Sequence, residues 1–485
     1  MSRRTTRRRF IQASAAAATG TLLPIDNAFA RRPDGPNLLL IVIDSLRADA
    51  VYENKIHTPN IDELVRQGVR VTSAYPEAMP TVPARNSLLG GRRTFPFHGW
   101  HDYPGLLDSP GWSPLRDVPQ SLPAALRSAG YWTSYVTDNP FLGFAAPYGP
   151  LRRSVNSFVR TGGEIGGSHP ISSVPKKVLH HWLHPSIYPQ KLHRVGKYLA
   201  NSRYWNDERK SFAAKVMTNG VHALEVAAFK QPFALIVDCY EPHEPWTPPR
   251  PYVDMYGKWK GPEPAMPQYG KVSKWLEPHE RGPVVRRMRE LYSAEVTMTD
   301  RWLGHLLDRL HDLNLENRTV IGLVSDHGIL LGEHGWTGKI STALHPALTN
   351  IPMVMIDPAR RRAGASSDWY ASTHDVAPTL LSMVGVKAPS RMNGVDMSPV
   401  FDDKPLPQRD YAMGGYGNSF YIRTRRWAMW ARNAPRHFHL FDKKHDPSEG
   451  DNVAHRNPGM VHQLYGIVRS KVGRLPYYGG LDRDG

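Results

Sequence analysis

Two acids and a histidine stand where long apolar runs stop. Pro36-Asn37-Leu38-Leu39-Leu40-Ile41-Val42-Ile43 runs into Asp44, and the run at 319–326 ends in Asp326 followed by His327. Each run reads as a strand buried on both faces, and ligands of open α/β sheets bind beyond the carboxyl ends of such strands. Two carboxylates and an imidazole suit a divalent cation. Singly, Asp44 reads as a turn cap and His327 as a packed side chain; the repetition at two strand ends favours a metal. A third segment, Thr81-Val82-Pro83-Ala84-Arg85, supplies a hydroxyl and a guanidinium one turn apart. Pro83 suits the first helical position, which puts Thr81 just ahead of a helix N-terminus, where free N–H groups and the dipole favour an anion. Arg85 adds a forked cation for a tetrahedral oxyanion. A hydroxyl, a metal and an arginine together suggest nucleophilic attack on phosphorus or sulfur, whereas the segment alone reads as a threonine cap.

These residues need a scaffold. Further apolar runs at 131–137, 232–238 and 351–356 alternate with helical patterns at 60–67, 121–129, 207–229, 284–313 and 374–384. That alternation predicts a doubly wound α/β fold, a large mixed or parallel sheet flanked by helices. Residues 140–206 and 241–282 are loop-like and read as insertions over one sheet face. After about 395, short aromatic and basic runs predict a small antiparallel α+β appendage. Cys239 reads as a small buried hydrophobe.

The chain has 485 residues, 61 Lys and Arg against 44 Asp and Glu, a formal charge of +17 and one cysteine. An intramolecular disulfide, a cysteine metal cluster and a CxxC redox pair are thereby excluded. Part of the charge sits in a leader: Arg3, Arg4, Arg7, Arg8 and Arg9 precede Phe10-Ile11, an Ala-rich run and Ala28-Phe29-Ala30. This order is that of a secretory signal, and Thr6-Arg7-Arg8-Arg9-Phe10-Ile11 resembles the bacterial twin-arginine type. Residues 1–30 are therefore expected to direct export to the periplasm or the exterior. No apolar stretch is long enough to span a membrane, so stable insertion is not expected. The remaining positive charge points to anionic substrates rather than nucleic acid, for which no groove-reading motif exists.

Eight short segments resemble, in order, the sulfatase family of the alkaline phosphatase superfamily. They are Asn37 to Asp44 with Leu46-Arg47-Ala48-Asp49; Thr58-Pro59-Asn60-Ile61-Asp62; Thr81 to Gly91; Gly130-Tyr131-Trp132-Thr133; Pro242-His243-Glu244-Pro245; Ser325-Asp326-His327-Gly328; Gly332-Glu333-His334-Gly335 with Lys339; and Asp375-Val376-Ala377-Pro378-Thr379. Asp446-Pro447 and Asn452 are similar to the family's C-terminal part. The resemblance implies a catalytic domain over 31–395 and a C-terminal subdomain over 396–485. It also implies that Asp44, Asp326 and His327 bind a divalent metal, that Arg85 orients the nucleophile, and that His243 and Lys339 meet the transferred group or its leaving oxygen. Three departures stand out. Thr81 occupies the place of the Cys or Ser that becomes formylglycine, and a threonine cannot give that aldehyde. Asp138-Asn139-Pro140 replaces the family's Lys-x-His, and Ser45 replaces the second acid of an Asp-Asp pair. What remains resembles the threonine-nucleophile site of the superfamily's phosphodiesterases, with Thr81 also beside the metal.

The expectation is one divalent ion (Ca, Mn or Zn) and hydrolysis of a small or polymeric anionic ester, a sulfate or a phosphate mono- or diester. A catalytically degenerate protein binding an anionic ligand is the alternative. Asp238, His243, His334, His345 and His374 are available for a second metal but show no defensible spacing. Residues 176–209, rich in His, Lys and aromatics, read as a solvated surface or as a lid over a polyanionic substrate.

Overall fold

Alternate residues of the strand Asn37–Ile43 feed two separate cores, which fixes it at the centre of the molecule. The computed structural model describes residues 34–164, 167–203, 207–434 and 437–479. Leu39, Ile41 and Ile43 pack with the helices Phe212–Ala228 and Arg281–Asp312. Leu38, Leu40 and Val42 face the helices Thr81–Gly90 and Val376–Met383 on the other side. An apolar layer on each face makes a parallel arrangement stable.

The sheet order is Ser366–Ser367, Val69–Val71, Met353–Ile356, Thr319–Ser325, Asn37–Ile43, Phe233–Cys239, Trp132–Thr137 and Ser157–Arg160. Asn37–Ile43 is parallel to both neighbours, with Ile43 opposite Ser325 on one side and Cys239 on the other. The three central strands therefore end level, and Asp44, Asp238 and Asp326 emerge at one place. Met353–Ile356 runs antiparallel to both of its neighbours, so the sheet is mixed. Cys239 is buried at the end of its strand.

Two local readings need correction. Thr81 is itself the first helical residue, with Pro80 as N-cap and Pro83 third; the missing proline N–H costs nothing there because the first turn has no intrahelical acceptor. The segment 140–206 is not wholly an insertion, since Ser157–Arg160 forms the sheet's edge strand.

A second sheet holds the antiparallel strands Tyr411–Tyr416, Ser419–Thr424, Trp427–Arg432 and His439–Asp442. Its fifth strand is Ala78–Met79, parallel to Tyr411–Tyr416. Phe95, Phe97 and Trp100 share a core with Phe420, Ile422 and Leu464 of the helix Pro458–Val472. Gly415 is required at this seam, because a Cβ would lie 2.0 Å from the Phe95 ring. Asp375 ties the seam together, accepting Ser372 N (2.8 Å), Val395 N (2.7 Å) and Arg409 Nη1 (2.5 Å). The expected signal at 1–30 lies outside the described residues. Among the described residues no helix is long and apolar enough to cross a membrane.

Ile41 is fully buried in the central strand. Ile41→Ala is expected to lower the unfolding free energy by about 3 kcal/mol, the usual cost of such a cavity, measured by urea denaturation.

Candidate active site

The helix Thr81–Gly90 begins at the carboxyl edge of the sheet, and its first residue carries a buried hydroxyl. Thr81 is 3% exposed, with Oγ1 3.5 Å from His327 Nε2. His327 Nδ1 lies 2.8 Å from the Gly328 carbonyl. That contact assigns the proton to Nδ1 and leaves the Nε2 lone pair facing Thr81. Burial, helped by Lys339 and Arg85, brings the His327 pKa down to about 4 despite Asp44. The ring is neutral near pH 7, the form a metal needs.

One turn on, Arg85 reaches inward instead of outward. Its Nη1 donates to Asp326 Oδ2 (2.5 Å), Asp44 Oδ2 (3.1 Å) and the Thr81 carbonyl (3.2 Å). Nη2 and Nε grip Asp238 at 2.7 and 2.9 Å. All four side chains are essentially inaccessible. Burial alone would weaken the guanidinium, but Asp238, Asp326 and Asp44 hold its pKa well above the ordinary value. Tyr135 OH donates to Asp238 Oδ2 (2.9 Å). Arg85 thus joins three strand ends and the Thr81 backbone.

The charges do not balance. Three carboxylates against one guanidinium leave two negative charges, the complement of a divalent ion. Asp44, Asp326 and His327 offer ligand atoms that all lie within 4.8 Å of one another, and they are the one such group among the described residues. Burial and the Asp326 charge push the Asp44 carboxyl up, against Arg85, His327 and His243. A buried pair in that condition is short of positive charge. Asp326 Oδ2 and both Asp44 oxygens each accept a single hydrogen bond and so keep a lone pair for an ion, whereas Asp326 Oδ1 is taken by the N–H groups of Ser45 and His327. The donor set therefore fits a hard or borderline divalent ion. Ser45 ties the pair together, its N–H donating to Asp326 Oδ1 (3.0 Å) and its Oγ to Asp44 Oδ1 (2.7 Å). Its backbone is left-handed, φ 56°.

His243 and Lys339 approach from outside this core. His243 Nδ1 is 2.7 Å from the Glu244 carbonyl, and the ring stacks on Tyr240 at 4.2 Å. Lys339 Nζ donates to both Glu244 oxygens (2.9 and 3.0 Å), and Tyr269 OH donates to the same carboxylate. Burial would raise the Glu244 pKa, but His243 and Lys339 overcome it and hold it below the carboxylate range. Behind His243 stand Glu164, 3.5 Å from Nδ1, and Arg194, which pairs with Glu164 at 2.5 Å.

All seven residues singled out from the sequence, Asp44, Thr81, Arg85, His243, Asp326, His327 and Lys339, thus lie at or around one strand-end site. Asp238 was named only as a spare ligand, and Glu164, Arg194, Glu244 and Tyr269 were assigned no role. The spare histidines do not assemble: His334 and His345 stack on each other at 3.9 Å, and His374 is buried 3.8 Å from Asp375. Asp138 and Asn139 serve the backbone, Asp138 Oδ1 accepting Tyr240 N (2.8 Å) and Asn139 Oδ1 capping the helix Pro140–Phe144.

Arg85→Ala is expected to cost about 3–5 kcal/mol in unfolding free energy, because it strands buried carboxylates. Arg85→Lys should recover only part, lacking the fork. Urea titration of the three proteins measures both effects.

A family model described as Sulfatase matches residues 36–386, and a second, N-sulphoglucosamine sulphohydrolase, C-terminal, matches 332–467. An arylsulfatase of Clostridium perfringens is 24% identical over 447 residues, covering 86% of this chain and 90% of its own. The iduronate 2-sulfatase of Mus musculus is 25% identical over 421 residues, covering 74% and 70%. The crystal structure of a phosphonate monoester hydrolase of Agrobacterium radiobacter superposes with a TM-score of 0.67 at 20% identity, over 90% of this chain and 95% of that one. Fold, strand-end site and matching family model agree: the chain belongs to the sulfatase family and is a sulfatase-like ester hydrolase.

Proposed function

We propose that this chain is an exported, metal-dependent hydrolase of sulfate or phosphate esters whose nucleophile is Thr81 Oγ1. The observation that carries the reading is the placement of a buried hydroxyl 3.5 Å from His327 Nε2, beside a doubly uncompensated carboxylate cluster. Asp44, Asp326 and His327 would hold one divalent ion, with Thr81 alongside. Bound there, the ion supplies the charge that favours an ionised hydroxyl and offsets negative charge growing on the transferred group.

The chain's own groups supply the rest. Arg85 fixes Thr81 through its carbonyl and keeps the carboxylates in place. Thr81 Oγ1 bonds to sulfur or phosphorus as the bond to the ester oxygen breaks. Lys339 and the N–H groups of the first helical turn face the negative charge on the transferred group. His243, anchored through Nδ1, hands a proton from Nε2 to the departing alcohol oxygen. Water then cleaves the ester on Thr81 and restores the hydroxyl. In this reading residues 1–30 are the export signal, 31–395 the catalytic unit and 396–485 the C-terminal subdomain.

Arylsulfatase and iduronate 2-sulfatase relatives support sulfate esters, and the phosphonate monoester hydrolase neighbour supports phosphorus esters. Thr81→Ala is expected to reduce kcat on an aryl sulfate and phosphate panel on the order of 10³-fold or more, with Thr81→Ser retaining turnover. Dialysis against EDTA should abolish turnover and added divalent metal restore it. Undiminished turnover by Thr81→Ala would remove Thr81 from the reaction.

A further inference from the structure

The segment 140–206, read from the sequence as an insertion, brings a carboxylate to the back of His243. Gly162-Gly163-Glu164 follows the edge strand Ser157–Arg160 and turns inward against Asp138. Gly163 is required there, because a Cβ would lie 2.5 Å from the Asp138 carbonyl oxygen. Asp138 also accepts Tyr240 N (2.8 Å), and the Tyr240 ring stacks on His243 at 4.2 Å. One residue thus fixes both the approach of Glu164 and the ring under the histidine. Asn201 Nδ2 donates to the Glu164 carbonyl (3.1 Å).

The Glu164 side chain is 3% exposed, and a carboxylate so buried is costly unless positive charge opposes it. Arg194 pairs with Oε1 at 2.5 Å, and Oε2 faces His243 Nδ1 at 3.5 Å. The Nδ1 hydrogen goes to the Glu244 carbonyl, 2.7 Å away, since a carbonyl can only accept. Nε2 is therefore the nitrogen available to an ester oxygen. To give a proton from Nε2 the ring must hold two, and so carry a positive charge. The Tyr240 face and Glu164 are placed to receive that charge. Glu244 Oε1 also lies 3.8 Å from Nε2, but both Glu244 oxygens are taken by Lys339.

We propose that Glu164 is a positioning residue for His243: clamped by Arg194, it sets a negative oxygen beside Nδ1 and steadies the doubly protonated ring that gives its Nε2 proton to the departing alcohol. This rests on the hydrolase reading, in which His243 is the proton donor. The carboxylate orients and electrostatically supports the histidine without touching the substrate. Its worth rises with the basicity of the alcohol. A nitrophenolate leaves without help, whereas an aliphatic alkoxide must be protonated as its bond breaks. The chain is therefore fitted to esters of aliphatic alcohols more than to activated aryl esters.

The test measures kcat and KM for 4-nitrophenyl, phenyl and ethyl sulfates, with the matching phosphates, in the full protein. It repeats them in Glu164→Gln, Glu164→Asp, His243→Ala and the double variant Glu164→Gln with His243→Ala. The amide oxygen of glutamine can still accept from Arg194, and urea denaturation checks that each variant is folded. Glu164→Gln should lower kcat on the ethyl esters by about 10- to 100-fold, part of what a general acid is worth, and on the 4-nitrophenyl esters by less. KM should change little, and Glu164→Asp should recover part of the loss. In the His243→Ala background the glutamine substitution should have no further effect. A loss of equal size on every ester, or one that persists without His243, overturns the positioning role and leaves the hydrolase reading standing. Turnover that Glu164→Gln does not alter does the same. No turnover of any ester by the unaltered protein overturns both.

Discussion

Everything at the strand ends depends on one guanidinium. Arg85 touches Asp44, Asp238 and Asp326, which follow or end three different strands, and it touches the carbonyl of Thr81. Without it, mutual repulsion in a water-free pocket would protonate these acids or drive them apart. With it, they are held at a distance a divalent ion can span. Arg85 reaches Thr81 from behind, through its backbone carbonyl and the carboxylates.

Around this core the charges are arranged in pairs of decreasing burial. Arg85 and its acids are sealed, Lys339 and Glu244 nearly so, and Arg194 with Glu164 opens toward solvent. In the outer pair the Arg194 side chain is 30% exposed and Glu164 3%, so the arginine carries the charge toward solvent. The gradient makes sense for a site that must admit a hydrated anion and then remove its water. Ser45 belongs to the innermost layer. By donating to both Asp44 and Asp326 it bridges the two carboxylates without adding charge.

Much of this was legible in the chain before folding. Asp44 and Asp326-His327 stand out because the same pattern, an apolar run that stops at an acid, recurs at two strand ends, and Thr81 with Arg85 carries a spacing of one helical turn. Asp238 was harder. Its run resembles the others, but the acid lies inside the strand opposite Val42, two residues short of Asp44, and Arg85 spans that step. Glu244 and Tyr269 sit in irregular segments whose folding no periodicity announces. The strand Ala78–Met79 was invisible because two residues carry no pattern; a partner more than three hundred residues away makes it a strand.

That short strand has a bearing on biosynthesis. Ala78–Met79 stands just ahead of Thr81, and its edge is completed by Tyr411–Tyr416, so Thr81 is pinned from the N-terminal side by residues translated near the end of synthesis. A ribosome that has made the whole parallel sheet has still not made the partner of this strand. The backbone that leads into Thr81 is held on that side only once the last fifth of the chain docks.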